Sequence, residues 1–216
     1  MLEQKIFDVT DPRLIRELVR RHSWATLVSH TPARGLVVSH LPVLVADDDP
    51  AVADGTEGTP PLTLAGHLAA DDAEAHELGA HDVVVVVEGP QGYISPTWYG
   101  SGPHVPTWNF VVVHVHGRPE LLAPERTYDV LSDTVDHFER HFADPWTLDR
   151  ADAYARRIAP GVSGFRLPAA RVTAKAKLSQ DESPQEVDRL ADALGSEQPW
   201  ARPELARAMR AAGRRR

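Results

Sequence analysis

The sequence predicts a mainly β chain with peripheral helices, its strands closing toward a barrel. Six β-branched or apolar segments, at residues 24–30, 36–46, 62–67, 82–88, 111–122 and 162–178, are separated by Gly- and Pro-rich turn signals. Helical patterns gather at the margins and do not alternate one-for-one with the strands, which argues against a parallel sheet. A third observation concerns residues 89–110, GPQGYISPTWYGSGPHVPTWNF, which place two of the five tryptophans between valine runs at 83–87 and 111–113. Proline and glycine interrupt a ladder there. Aromatic corners held rigid by proline suit either the wall of a flat-ligand pocket or a hairpin that only packs.

Taken in order, Asp11 can N-cap a helix with Pro12 at its first position, and Leu14, Ile15, Leu18 and Val19 give it one apolar face through about Arg21. Two strands joined by Thr31-Pro32-Ala33-Arg34-Gly35 read as a hairpin. Residues 47–61 are acidic, rich in Gly, Pro and Ala and without periodicity, as in a solvated loop. The strand at 62–67 leads to a short helix near 73–78, and the valine strand at 82–88 is apolar on both faces and therefore central. One long strand is expected over 111–122, with Gly117 as a bulge or bend. A helix over 124–142 carries Tyr128, Leu131, Val135, Phe138 and Phe142 at helical spacing, and Pro145-Trp146 stops it. A further helix follows at about 149–158, and the extended segment 162–178 is broken at Pro168. Ser183-Pro184-Gln185-Glu186 is a capping box opening a helix that closes at Gly195, and a last helix starts near Pro203.

With 216 residues, 42% of them hydrophobic, and a mean hydropathy of −0.32, the chain has the composition of an ordinary globule with room for a sizeable core. No apolar run approaches the roughly 20 residues of a membrane span, and the N-terminus lacks a signal-peptide pattern, so a cytoplasmic address is expected and a membrane partner is not. The chain has no cysteine, which excludes disulfides, thiolate catalysis and Cys-ligated zinc. A net charge of −8 makes the surface a poor match for nucleic acid, with only Arg214-Arg215-Arg216 as a basic cluster.

Eleven histidines are the first candidates for chemistry. His114 and His116 share one face of a strand, and His137 and His141 stand four apart on a helix, a zinc-compatible spacing that lacks a third ligand; no metal is expected. GxGxxG, GxxxxGK[ST] and GxSxG are all missing, which disfavours the usual nucleotide cradles and a serine hydrolase. In Lys175-Ala176-Lys177-Leu178-Ser179-Gln180 two lysines share a strand face. They could meet a phosphate or an anionic ring, or they could protect a sheet edge.

Read together, Ala25-Thr26-Leu27-Val28-Ser29, Ser39-His40-Leu41-Pro42, Gly66-His67-Leu68-Ala69, Tyr93-Ile94-Ser95-Pro96, Val105-Pro106-Thr107-Trp108-Asn109 and Lys175-Ala176-Lys177-Leu178-Ser179-Gln180 occur in an order that resembles one family. It is the PaiB-like FMN-binding negative transcriptional regulators, of the FMN-binding split-barrel group. The resemblance covers about residues 7–180. It implies a homodimeric FMN-binding split β-barrel of six strands over residues 1–182, with 183–216 as a helical appendage. FMN is expected at the subunit interface. Ser39, His40, Leu41, Pro42 and His67 would come from one copy, and Trp98, Trp108, Asn109, Lys175, Lys177, Ser179 and Gln180 from the other. One of the lysines would stand near the flavin N1–C2 edge and stabilise the reduced anionic ring.

Three positions depart from the family. Where it usually carries an arginine and an Asn-Pro pair, this chain has Ala70-Asp71-Asp72-Ala73, whose carboxylates would repel a phosphate held there. The link from Tyr99 to Val105 is short and lacks lysines, and Asp181 replaces an asparagine. Three functions follow from the resemblance: a flavin-binding regulator, with DNA as a partner by family label only; an FMN-dependent oxidoreductase of the pyridoxamine-phosphate oxidase or flavin reductase type; or a barrel that has lost flavin and works through other ligands or partners.

Overall fold

The computed structural model describes residues 4–46 and 62–214. The loop expected at 47–61, and Arg215 and Arg216 of the basic tail, lie outside the described residues. Among the described residues eight strands form one hydrogen-bonded sheet, in the order β6-β7-β3-β2-β1-β4-β5-β8. They are β1 (Trp24–Thr31), β2 (Gly35–Val45), β3 (Thr63–Ala69), β4 (Val83–Ile94), β5 (Thr107–Gly117), β6 (Glu120–Leu121), β7 (Val162–Pro168) and β8 (Arg171–Lys177). Six strands were implied. The extra two arise because 162–178 divides at Pro168 into two strands and the expected strand over 111–122 divides at Gly117.

That second division has a steric cause. A Cβ on Gly117 would lie 2.3 Å from the Pro168 carbonyl oxygen, so the backbone turns where β5 meets the end of β7, and Pro119 follows. Conversely, β4 runs on through Gly89-Pro90 to Ile94, where an interrupted ladder was expected.

The chain divides into two compact units. The larger comprises residues 12–87 and 114–172. Its framework is the hairpin β1–β2, antiparallel from Trp24↔Pro42 to Thr31↔Gly35. Gly35 has φ +71°, the left-handed region a tight connection demands. Strand β2 then changes partner. Beyond Pro42 it leaves β1 and pairs with β3, Val43↔Gly66 to Val45↔Leu64. Pro42 sits at the hand-over, where a missing N–H costs least. On its other edge β1 takes the valine run of β4 at Ala25↔Val87 through Ser29↔Val83.

Leu27, Val43, Leu64, Val85, Val115, Phe165 and Leu167 are fully buried and form the core of this unit. Its helices are α1 (Pro12–Arg21), α2 (Ala70–Ala75), α3 (Pro124–Glu139) and α4 (Asp152–Ile158). Helix α2 starts directly off β3, three residues earlier than expected, with Asp71 and Asp72 in its first turn, where carboxylates offset the helix dipole.

Helix α3 buries a different face from the one its apolar spacing suggests. Thr127, Val130 and Thr134 are inside, while Phe138 is 47% exposed and Phe142, beyond the helix end at Glu139 where the sequence suggested a helix to 142, is 63% exposed. Close approach to β7 decides this: a Cβ on Gly164 would lie 2.7 Å from Thr127 Oγ1, and the Gly164 N–H donates to that hydroxyl at 3.3 Å. Small side chains alone fit there.

The smaller unit comprises residues 1–11, 88–113 and 173–216. It contains the second half of β4, the first half of β5, β8, and the helices α5 (Pro184–Gly195) and α6 (Pro203–Gly213). Ile94, Leu190, Leu194, Leu205 and Met209 are among its largest fully buried side chains. Ser183 caps α5, its hydroxyl accepting from the Glu186 N–H at 3.2 Å. The other half of the expected capping box is diverted, because the Glu186 carboxylate accepts from the Gly100 N–H at 3.0 Å and the Ser101 hydroxyl at 3.3 Å.

Candidate functional site

Period-2 alternation splits Ser39-His40-Leu41-Pro42 between two faces of the hairpin. Leu41 is core, at 2% exposure. Ser39, on the same inward face, donates to or accepts from His76 Nε2 at 3.0 Å, while Ser29 meets His76 Nδ1 at 2.7 Å. His76 is fully buried. Burial pushes its pKa below the ordinary value, with Asp72 pulling weakly the other way, so a neutral imidazole ties β1 to β2.

The outward face is apolar and open. Register brings Trp24, Thr26, Val28 and His30 opposite Pro42, His40, Val38 and Leu36. Trp24, Leu36 and Val38 are 64%, 73% and 55% exposed. The Trp24 and His40 rings stack at 6.4 Å with a 17° interplanar angle, and Thr26 Oγ1 holds His40 Nδ1 at 3.1 Å. One step beyond Val43↔Gly66, His67 falls opposite Pro42 on this same face. Its Nδ1 is buried with no hydrogen-bond partner among the described residues, and burial depresses its pKa. Gly66 beside it admits no side chain: a Cβ would lie 2.9 Å from Phe165 Cζ. His40, Pro42 and His67 are thus brought together, and Trp24 joins them.

In the smaller unit the aromatic stretch folds around one ring. Tyr93 meets Trp98 at 6.4 Å, Trp108 at 6.3 Å and Trp200 at 5.7 Å between centroids, all edge-on or tilted as aromatic quadrupoles prefer. Pro96–Trp98 is a single 3-10 turn started by Ser95, and the Trp108 indole donates to Gln91 Oε1 at 2.7 Å. The polar residues expected at the site are occupied by the fold. Asn109 is fully buried; its Nδ2 donates to Ser179 Oγ at 2.9 Å, and its Oδ1 has no partner among the described residues.

Ser179 takes φ +62°. Gln180 closes the strand end, accepting from the Leu178 N–H at 2.6 Å and donating to the Ala176 carbonyl. Strand β8 ends the sheet order, although Asp8 bridges Lys175 on it. Lys175 is buried, and the Lys177 ammonium donates to Thr107 Oγ1.

Other histidines serve elsewhere. His114 and His116 do share a face, with rings 6.4 Å apart, and Arg171 lies 3.1 Å from His116 Nε2. His137 is bonded to Ser23 at 2.9 Å, and His141 accepts from Arg140. No group of three metal-ligating side chains forms among the described residues. A cavity of about 700 Å³ in the larger unit runs along α3, and Arg20, Arg140, Arg166, Asp129, Asp133 and Asp136 are among its lining residues.

Trp24 and Trp200 were not singled out from the sequence. For Trp24 the signal was present, since antiparallel alternation from the Thr31–Gly35 turn puts it beside His40. For Trp200, after a helix-closing glycine, no local pattern pointed back to Tyr93.

A β1–β2 hairpin whose second strand changes partner at a proline, inside an antiparallel sheet with marginal helices, defines a split-barrel protein. Solved structures carry the same fold: the FAD and heme binding protein from Mycobacterium smegmatis (TM-score 0.58, 12% identity, 83% of this chain and 78% of that one) and the flavocytochrome Anf3 from Azotobacter vinelandii (TM-score 0.55, 12% identity, 83% and 74%). The chain belongs to the family described as "Putative FMN-binding domain", which matches residues 1–171. It is similar to the protease synthase and sporulation protein PAI 2 of Bacillus subtilis, 26% identical over 196 residues, covering 90% of this chain and 89% of that protein.

The site fits a flavin ring in part. The open face bearing Trp24, His40 and Pro42 is largely apolar, as a flavin ring requires, and His67 lies beside it with its Nδ1 buried and unpartnered among the described residues. The start of α2 does not fit a phosphate, because Asp71 and Asp72 stand there exposed.

Proposed function

We propose that the chain binds FMN at the interface of a homodimer and works as a PaiB-type negative transcriptional regulator. The observation that carries this reading is the uncovered hairpin face, with Trp24, Leu36 and Val38 more than half exposed in a chain of the FMN-binding family. Contiguous apolar surface of this kind marks a binding face, and a second copy with a flat ring between would cover it.

His40, Pro42 and His67 of one copy, together with Trp24, meet the flavin. Trp98, Trp108 and Lys177 of the other copy close it. Asn109, Ser179 and Gln180 act behind them by holding the end of β8, and Ser39 and Leu41 hold the hairpin from its inner face. The bound flavin supplies one- and two-electron redox chemistry. Lys177, held by Thr107, stands ready to offset negative charge on the reduced ring, so Lys177→Gln lowers the midpoint potential by about 30 mV, equivalent to roughly 1.4 kcal/mol for a two-electron couple. An unchanged potential removes that role.

The B. subtilis relative is named for protease synthesis and sporulation, which is in keeping with a regulatory role. Releasing and identifying the co-purifying small molecule tests the cofactor. A salt-sensitive gel shift on the protein's own promoter tests the regulator, and rapid bleaching of the flavin by NAD(P)H without such a shift would move the assignment to an oxidoreductase.

A further inference from the structure

The geometry points to Trp200, on the connection between α5 and α6, as a further flavin-contacting residue of the aromatic wall. This rests on the flavin reading above. The family match ends at residue 171, so nothing in it assigns a role to the last two helices.

Three contacts seat those helices against the aromatic stretch. Gly92 in β4 leaves room for them: a Cβ there would lie 3.0 Å from Arg202 Cγ and 3.1 Å from Leu205 Cδ2. Gly100 does the same, with its Cβ position 2.7 Å from the Arg189 guanidinium. Glu186 then takes hydrogen bonds from Gly100 and Ser101. The helical pair is therefore fixed to residues 89–110 and cannot be a loose tail.

What the pair delivers is an indole. Trp200 tilts at 53° over Tyr93, 5.7 Å away, on the ring that also carries Trp108 at 61°. Trp108 and Trp200 are 44% and 47% exposed, although a tryptophan whose ring only packs gains most by full burial. Both indoles keep open area while resting on one tyrosine, and Gln91 pins the Trp108 N–H so that its face cannot turn away. A flat, electron-poor tricycle laid on Trp108 reaches Trp200 across Tyr93. An isoalloxazine has that shape, and indole is an efficient quencher of its fluorescence.

The test titrates the whole 216-residue chain, stripped of ligand, with FMN, following affinity and flavin fluorescence. Trp200→Ala weakens binding about tenfold and relieves part of the quenching, as expected for loss of one stacked aromatic. Trp200→Phe stays within about threefold of the parent. Trp146→Ala, which removes another partly exposed tryptophan in the larger unit, changes neither readout. If the parent binds FMN and Trp200→Ala and Trp200→Phe match it in affinity and quenching, the Trp200 assignment is overturned while the flavin reading stands. If the parent binds no FMN, both fall.

Discussion

His76 shows how much a single buried side chain does in this fold. It has no exposure and satisfies both ring nitrogens with serines on adjacent strands. His76→Ala leaves the buried Ser29 hydroxyl and the half-buried Ser39 hydroxyl without this partner and a cavity behind them, a loss of about 3 kcal/mol read from urea unfolding. His76 and His67 have pKa values held below the ordinary histidine value of about 6.5 by burial. The unfolded chain takes up protons first as pH falls through that value, while the folded chain resists. Their contribution is therefore complete above about pH 6.5 and drains away below it. Unfolding midpoints at pH 7.5 and 5.5 check this, with the lower midpoint at 5.5; His76→Asn shrinks the difference.

At the same scale, Asp71→Asn combined with Asp72→Asn tightens FMN but not riboflavin if the phosphate lies near the start of α2. Equal effects on both ligands place the phosphate elsewhere. Residue roles were the least legible feature of the sequence. SHLP was visible as a motif, but which of its side chains point outward depends on register, and the partner that fills Ser39 is 37 residues away.

Elements were legible where local chemistry decides them. Pro12, the Thr31–Gly35 turn, Ser183 and Gly195 each mark a boundary the structure keeps. Elsewhere long-range sterics overrode the local signal. The aromatic stripe of α3 has helical spacing, yet β7 approaches so closely at Gly164 that threonines take the buried face. Gly117 was expected as a bulge or bend, and the strand does end there, at a close contact: Gly117→Ala would drive a methyl into the Pro168 carbonyl, costing about 3 kcal/mol, measurable as a drop in melting temperature. Ser183→Ala removes the α5 cap for about 1 kcal/mol. Because that cap presents Glu186 to Gly100, the change also loosens the aromatic stretch and reduces its hydrogen-exchange protection.

For the whole molecule, the split-barrel class was readable from the strand pattern, marginal helices and motif order, and solved structures of the same fold agree with it. No helix among the described residues is long and apolar enough to cross a membrane. In the proposed function two copies and a flavin complete one another at the hairpin face. The most direct measurement is light scattering with simultaneous absorbance near ~450 nm, the flavin band, on the parent and on Val38→Asp. This variant puts a charge on the outward face and leaves the core intact. The parent is expected to be a yellow dimer and the variant a colourless, folded monomer. A Val38→Asp monomer that keeps stoichiometric flavin, or a parent that is monomeric with flavin bound, would contradict the proposal.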